Sequence, residues 1–419
     1  MHHGPPVVGA GWLCGFNRGS MFLNQQYLVI AGGDLWLHDT DGQSTQIYSS
    51  FAKEMLQREA DRQRTTSWKY AEREDSKGLI GPALWGRGGG ASNLAPARFL
   101  HVCKAGEPRC IYYVLSVGRT VGLFKYYLDE EREIRLFHRQ NTPVLGLSYL
   151  PKTQHIVLAL MGNDGTAHLE VYDEEGTQKG AITHGDSVDA APAAMPGADA
   201  TVVYQSWGLA RNVDTGAVVG LGHSAVHWVD YKAGEMESVL DDAGWDFVAP
   251  RMSEDRVIYA IRRPSDKPLH EKAGGAAKDA FLMPLRLGKA VFGYLNLFSM
   301  MYGKEPLRSA GGLRTPELDQ DLGSLWLHGR RIELSKVKTD PEYAGNLVPA
   351  SWKLIAQSGR HSAPEEIANH VAQFEVLGDG ALLYSNGYDI YHWQRGSGNG
   401  NGTTRKLARR DLVEGLLAL

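Results

Sequence analysis

The stretch His168-Leu-Glu-Val-Tyr-Asp-Glu-Glu-Gly176 decides how this chain is read. Apolar and polar residues alternate over Leu169–Tyr172, and an acidic turn closed by Gly176 follows. Alternation with period two, an aromatic end and a turn mark a strand buried on one face. A second short strand near Lys179–Ile182 follows. The same pattern recurs as Asp34-Leu-Trp-Leu-His-Asp-Thr-Asp-Gly42 before Ser44–Tyr48. It recurs again as Ala225-Val-His-Trp-Val-Asp-Tyr-Lys-Ala-Gly234 before Met236–Leu240, and as Asp389-Ile-Tyr-His-Trp-Gln394 before Thr403–Leu407. Two weaker copies are Val121–Tyr127 with Glu133–Phe137, and Ser324-Leu-Trp-Leu-His328 with Arg331–Leu334.

Each copy has a Val/Ile/Leu/Tyr-rich run upstream: Tyr27–Ala31, Ile111–Leu115, Ile156–Leu160, Thr201–Tyr204, Val257–Ile261 and Ala381–Tyr384. Before several of these lies a further short element, at Leu145–Tyr149, Ala191–Ala194, Phe247–Arg251 and Ala372–Val376. Four short antiparallel strands, repeated six times, predict an all-β chain folded as a β-propeller of six four-stranded blades. One blade cannot bury both of its faces alone, and a ring of blades can. Composition agrees. There are 49 Gly in 419 residues, about 12% against roughly 7% on average, as many turns require.

Val188-Asp-Ala-Ala-Pro192-Ala-Ala-Met-Pro-Gly and Trp245-Asp-Phe-Val-Ala-Pro250-Arg-Met-Ser-Glu-Asp resemble the D-x-x-P-x-x-S-P-D-G repeat of TolB-like (PD40, WD40-like) propellers. The Tyr204-Gln-Ser206 and Tyr384-Ser385 steps resemble that family's strand ending. The resemblance is best over residues 140–260. It implies architecture, because the motif positions are turn and strand residues, and it implies work within multi-protein assemblies.

Six blades of about 45 residues leave a surplus, read as insertions in a single propeller domain spanning 1–419. Residues 50–96 begin as a helix over Phe51–Arg64. Residues 264–323 fall inside the fifth blade, and residues 337–370 link the fifth blade to the sixth, with a helical turn at Pro364–Val371. Over Phe281–Tyr302, Arg286, Lys289, Gly293 and Asn296 share one arc at 100° per residue. This predicts an amphipathic helix rather than a membrane span. Its apolar arc holds Val291, Tyr294, Phe298 and Met301. It packs on its own propeller, on a protein partner, or on a membrane surface; the partner face is the expected interaction element.

Net charge is −4, so no global basic field draws nucleic acid, and Arg405–Arg410 is too short to supply one. Cys14, Cys103 and Cys110 do not make a disulfide framework, the N-terminus lacks a signal-peptide pattern, and a reducing cytoplasm is expected. No G-x-S-x-G and no phosphate loop appear. His184, Asp186 and Asp189 lie within six residues and are weak metal candidates; as turn residues they would cap backbone amides. Asp189 and Asp246 precede neighbouring inner strands, where converging carboxylates could hold a cation or act as the base of a lactonase-like hydrolase. The expectation is a non-catalytic scaffold, without cofactor, for protein–protein interaction. A channel-mouth metal-dependent hydrolase and a small-ligand-sensing propeller stand as the alternatives.

Overall fold

The computed structural model describes residues 25–39, 41–74, 97–212, 214–216, 218–265, 324–359, 362–396 and 402–419. They form six four-stranded antiparallel blades around one axis, so the chain is an all-β propeller. From the axis outward, the first blade is Val413–Ala418 (β26), Tyr27–Ala31 (β1), Asp34–His38 (β2) and Ser44–Ile47 (β3). The second is Ala97–Lys104 (β4), Cys110–Val117 (β5), Thr120–Tyr127 (β6) and Arg132–Gln140 (β7). The third is Val144–Leu150 (β8), His155–Met161 (β9), Ala167–Tyr172 (β10) and Gln178–Ala181 (β11). The fourth is Ser187–Ala194 (β12), Thr201–Arg211 (β13), Val218–Asp230 (β14) and Glu235–Leu240 (β15). The fifth is Trp245–Met252 (β16), Val257–Pro264 (β17), Lys353–Ser358 (β20) and Glu365–Ala368 (β21). The sixth is Gln373–Val376 (β22), Leu382–Ser385 (β23), Asp389–Gln394 (β24) and Thr403–Arg409 (β25).

Second strands are buried on both faces, as middle strands between stacked blades must be. Every residue of β1 and β5 is buried, which is why these runs read as continuously apolar rather than alternating. The inner strands contact one another in sequence around the axis, and β22 and β4 both reach β26. The ring therefore closes within the first blade, where the C-terminal β26 pairs with β1 in the register Tyr27↔Ala418 to Ile30↔Gly415. Without that strand Leu28 and Ile30, now almost wholly enclosed, would sit on an open edge.

Between β3 and β4 lies helix α1 (Ser50–Glu74), starting where the sequence places it and running ten residues further. Ser49 Oγ accepts the Ala52 N–H at 3.1 Å, a side-chain N-cap. The Glu133 carboxylate on β7 accepts the Ser50 and Phe51 amides, so a negative charge meets the positive helix end. Phe51 packs on Phe124 of the second blade at 5.1 Å between ring centres.

The fifth blade corrects two expectations. Ser324–His328 and Arg331–Leu334 are not its third and fourth strands; they fall in a separate hairpin, Ser324–Leu327 (β18) with Arg330–Glu333 (β19), followed by the short helix α2 (Leu334–Thr339). Nor are residues 337–370 a linker to the sixth blade, because β20 and β21 lie within them and complete the blade, with Ile261↔Leu354 and Leu354↔Ala368 in register. The physical reason is burial. Leu354, Ile355 and Ala356 are apolar and buried on both faces between β17 and β21, whereas in Leu-Trp-Leu at 325–327 only Leu327 is buried and the strand pairs with β19 alone. Pro364–Val371 is strand and bend rather than helical turn. Residues 281–302, with Val291, Tyr294, Phe298 and Met301, lie outside the described residues. Among the described residues no helix is long and apolar enough to cross a membrane.

Truncation after Asp411, which removes β26, is expected to abolish the cooperative thermal transition seen by circular dichroism. A variant that still melts cooperatively within about 2 °C of the full chain, no more than the roughly 2–4 °C that 1 kcal/mol produces in domains of 150–250 residues, would mean that ring closure does not hold the fold.

Candidate functional site: the plugged central channel

Five of the six inner strands break register at the same level: at Glu414, Leu100, Leu145, Ala191-Pro192 and Ala249-Pro250. Each break is a bulge that inserts extra backbone and aims it at the axis. In the fourth and fifth blades the residue before proline takes a positive φ, 48° at Ala191 and 53° at Ala249. Proline has no N–H for the ladder, so the bulge is where a strand tolerates it. All of these bulged residues except Pro250 line a central cavity of about 230 Å³.

One end of this cavity is closed by the β18–β19 hairpin. Its two-residue turn, His328-Gly329, has φ of 46° and 75°, the paired positive values of a type I′ turn. Trp326, Leu327, His328 and Gly329 all line the cavity. Leu327 and Ile332 belong to the apolar core that also holds Trp352 and Val348, so the hairpin is packed in place rather than laid on the surface.

Charge fixes it further. Arg263, at the end of β17, is almost wholly buried; its Nη2 donates to His328 O at 2.8 Å and its Nε lies 3.3 Å from Asp246 Oδ2. Its guanidinium also stacks over the Trp352 ring at 4.7 Å. Arg330 of the hairpin donates to the same Asp246 oxygen at 3.1 Å and to Pro264 O at 2.8 Å. The other Asp246 oxygen accepts the Ser224 amide at 3.0 Å. A carboxylate between two guanidinium groups offsets the cost of taking all three out of water, provided the hydrogen bonds are made, and here they are. His328 Nε2 lies 2.8 Å from Ala372 O and ties the hairpin tip to the sixth blade.

Two further ion pairs cross the channel wall. Arg98 meets Glu414 at 2.7 Å and Arg251 meets Glu375 at 3.2 Å. Burial pushes the Glu375 carboxyl up, with Arg251 opposing; burial likewise raises Glu414 against the pull of Arg98. His101 donates from Nε2 to Val144 O at 3.0 Å, since a carbonyl can only accept. Burial lowers His101 and His328 to about 4, helped by Arg251 beside the first and by Arg263 and Arg251 beside the second.

The acids flagged in the sequence are thus placed differently from one another. Asp246 is spent on the hairpin anchor. Asp189, in β12, accepts Ser206 Oγ at 2.6 Å and faces His168 Nδ1 at 3.6 Å. His184 is exposed, its ring 6.2 Å from that of His168. Among the described residues no three His, Cys, Asp or Glu side chains gather as a metal site. Cys103 and Cys110 are free thiols on adjacent strands, and burial pushes Cys110 up to about 11. Sequence reasoning missed Arg263, Arg330 and the His328-Gly329 turn as site elements; the His-Gly pair between two Leu/Ile-bearing runs was the available signal.

No protein-family model matches the chain, and no curated protein matches it in sequence. In structure it is similar to TolB from Acinetobacter baumannii, with a TM-score of 0.45 and 11% identity over 94% of this chain and 66% of that one. It is also similar to a chain of the nidogen/laminin complex (TM-score 0.49, 6% identity, 94% of this chain and 98% of that one). A third likeness is to the tricorn protease (TM-score 0.42, 10% identity, 94% of this chain and 34% of that one). The chain thus spans just under two thirds of the TolB chain and one third of the tricorn chain. TolB is the propeller type whose repeat residues 188–197 and 245–255 resemble.

Replacing Arg263 by Met leaves Asp246 buried with Arg330 as its remaining cationic partner. Unfolding in urea should show a loss of about 3 kcal/mol, the lower end for a broken buried pair, and Asp246→Asn in the same chain should restore part of it. Unchanged stability in Arg263→Met would mean the pair does not hold the hairpin.

The histidines give a pH dependence of known sign. Their folded pKa lies below the unfolded value of 6.5, so the unfolded chain takes up protons first. Stability is complete above pH 6.5 and falls as pH drops toward 4, by at most roughly 3 kcal/mol per histidine. Glu375 and Glu414, raised in the folded state, act in the opposite direction. The comparison is therefore with His328→Gln, whose amide can still donate to Ala372 O. The parent should lose more stability between pH 6.5 and 4.5 than this variant, and equal losses would contradict the assignment.

Proposed function

We propose that this propeller is a non-catalytic scaffold for protein–protein interaction inside a multi-protein assembly, working in the cytoplasm, with the segment around Val291, Tyr294, Phe298 and Met301 as its contact face. The observation that carries the reading is the condition of Asp246. A hydrolase at the channel mouth needs a carboxylate free to take a proton from water within hydrogen-bond reach. Asp246 instead joins two guanidinium groups and a backbone amide, and its work is to hold the hairpin that closes the channel. Asp189 is likewise committed to Ser206, on a strand of its own blade. The free thiols of half-buried Cys103 and buried Cys110 fit a reducing compartment.

The test replaces residues 276–304 by a short Gly/Ser linker and compares proteins recovered with the full and shortened chains from the native host. Loss of specific partners from a shortened chain that keeps its melting temperature supports the reading. Recovery of every partner overturns the contact face, and an esterase or lactonase turnover lost in Asp189→Ala or Asp246→Asn overturns the scaffold.

A further inference from the structure

We infer that the central cavity, closed at one end by the hairpin, is a binding site for a small, neutral, hydroxyl-rich molecule of monosaccharide or polyol size. The inference is independent of the partner surface and rests on the polar groups that the fold leaves unused around the axis.

Consider the donors and acceptors in turn. His101 and His328 both line the cavity, and each uses Nε2–H on a backbone carbonyl. That bond fixes the tautomer, so each Nδ1 is an acceptor, and neither has a hydrogen-bond partner among the described residues. Gln205 is only 3% exposed and lines the same cavity. Its carboxamide oxygen accepts the Ala249 N–H at the bulge of the fifth blade, which turns its Nε2 donors away from that bond. They too have no partner among the described residues. Gln373, from the sixth blade, brings a second carboxamide to the lining, and its side chain has no hydrogen-bond partner among the described residues.

The cavity thus offers nitrogen acceptors beside amide donors, together with Glu414 Oε2, a buried carboxylate oxygen without a hydrogen-bond partner among the described residues, whose charge Arg98 balances through Oε1. A hydroxyl group, which donates and accepts at once, satisfies both. An anion would meet two imidazole lone pairs. A cation would meet Arg98 and Arg251, whose own charges are already balanced by Glu414 and Glu375. Neutrality of the ligand follows from that balance, since an added charge would stand uncompensated in a low-dielectric site. Trp207 and Trp326 supply flat apolar faces for the C–H side of a sugar or polyol ring. At about 230 Å³ the cavity is smaller than the roughly 300–1,000 Å³ of sites for drug-sized ligands, which sets the ligand size. Trp326 and His328 come from the β18–β19 hairpin, so the hairpin completes the site as well as closing one end of it.

The experiment titrates the purified full chain with D-glucose, D-mannose, D-ribose, myo-inositol and glycerol, and with L-glutamate and putrescine as charged controls. Binding is read by calorimetry and by tryptophan fluorescence, since two indoles line the cavity. The expected result is saturable binding of at least one neutral probe, weakened about tenfold or more in His101→Phe and in Gln373→Leu, because each variant removes one partner of a buried hydroxyl. Gln373 makes no side-chain hydrogen bond among the described residues, so Gln373→Leu keeps the test valid if His101→Phe does not fold. No saturable signal from any neutral probe overturns the inference. Saturation by glutamate or putrescine alone overturns the assigned class. Binding that both variants leave unchanged places the ligand elsewhere and overturns the site.

Discussion

Everything in this molecule depends on one pairing, that of β26 with β1 across the two ends of the described chain. A ring of sheets differs from a stack in having no terminal repeat that must be protected from water. Here the last strand supplies the innermost position of the first blade. The Arg98–Glu414 ion pair then spans the joint between that strand and the second blade. Closure brings six inner strands round a single axis, and a shared cavity exists only because they are held there together.

The inner strands are not regular, and their irregularity shapes the channel. Five bulges at one level add side chains and backbone to the wall. Two of them are enforced by proline, whose missing N–H cannot serve the ladder. Gln205, from a second strand, reaches across to cap the amide left free at Ala249. The hairpin then closes the end at which the inner strands begin. It is held by Leu327 and Ile332 in the core, by two arginines on Asp246, and by a histidine on Ala372 O. The apolar contacts give this closure its strength and the buried charges its geometry, because a carboxylate between two guanidinium groups tolerates little displacement.

Much of the architecture was legible because strands in a propeller announce themselves locally. Runs such as Tyr27–Ala31 and Ile156–Leu160 are apolar on both faces, and only a strand flanked by neighbours on both sides buries them. The fifth blade was misread where two segments offered similar local patterns. Leu325–Leu327 and Leu354–Ala356 both look like strands, and the choice between them rests on which one fits the edge of β17. Asp246 was singled out as a candidate for chemistry, and it is central to the site, but as an anchor. Its partners Arg263 and Arg330 lie 17 and 84 residues away, so no spacing rule could have joined them.

What the sequence by itself determined is the class of fold, the approximate positions of most strands, and the turn chemistry between them. These follow from short-range physics: side-chain period, β-propensity, and the backbone freedom of glycine. What only the tertiary structure decided is which segment fills the fifth blade, that a hairpin plugs the axis, and which polar groups remain unpaired around the cavity. Those outcomes depend on contacts between residues far apart in the chain. Hydrogen-bond satisfaction is a property of the assembled ring, since Gln205 or His328 is spent or available only according to what the neighbouring blades place beside it.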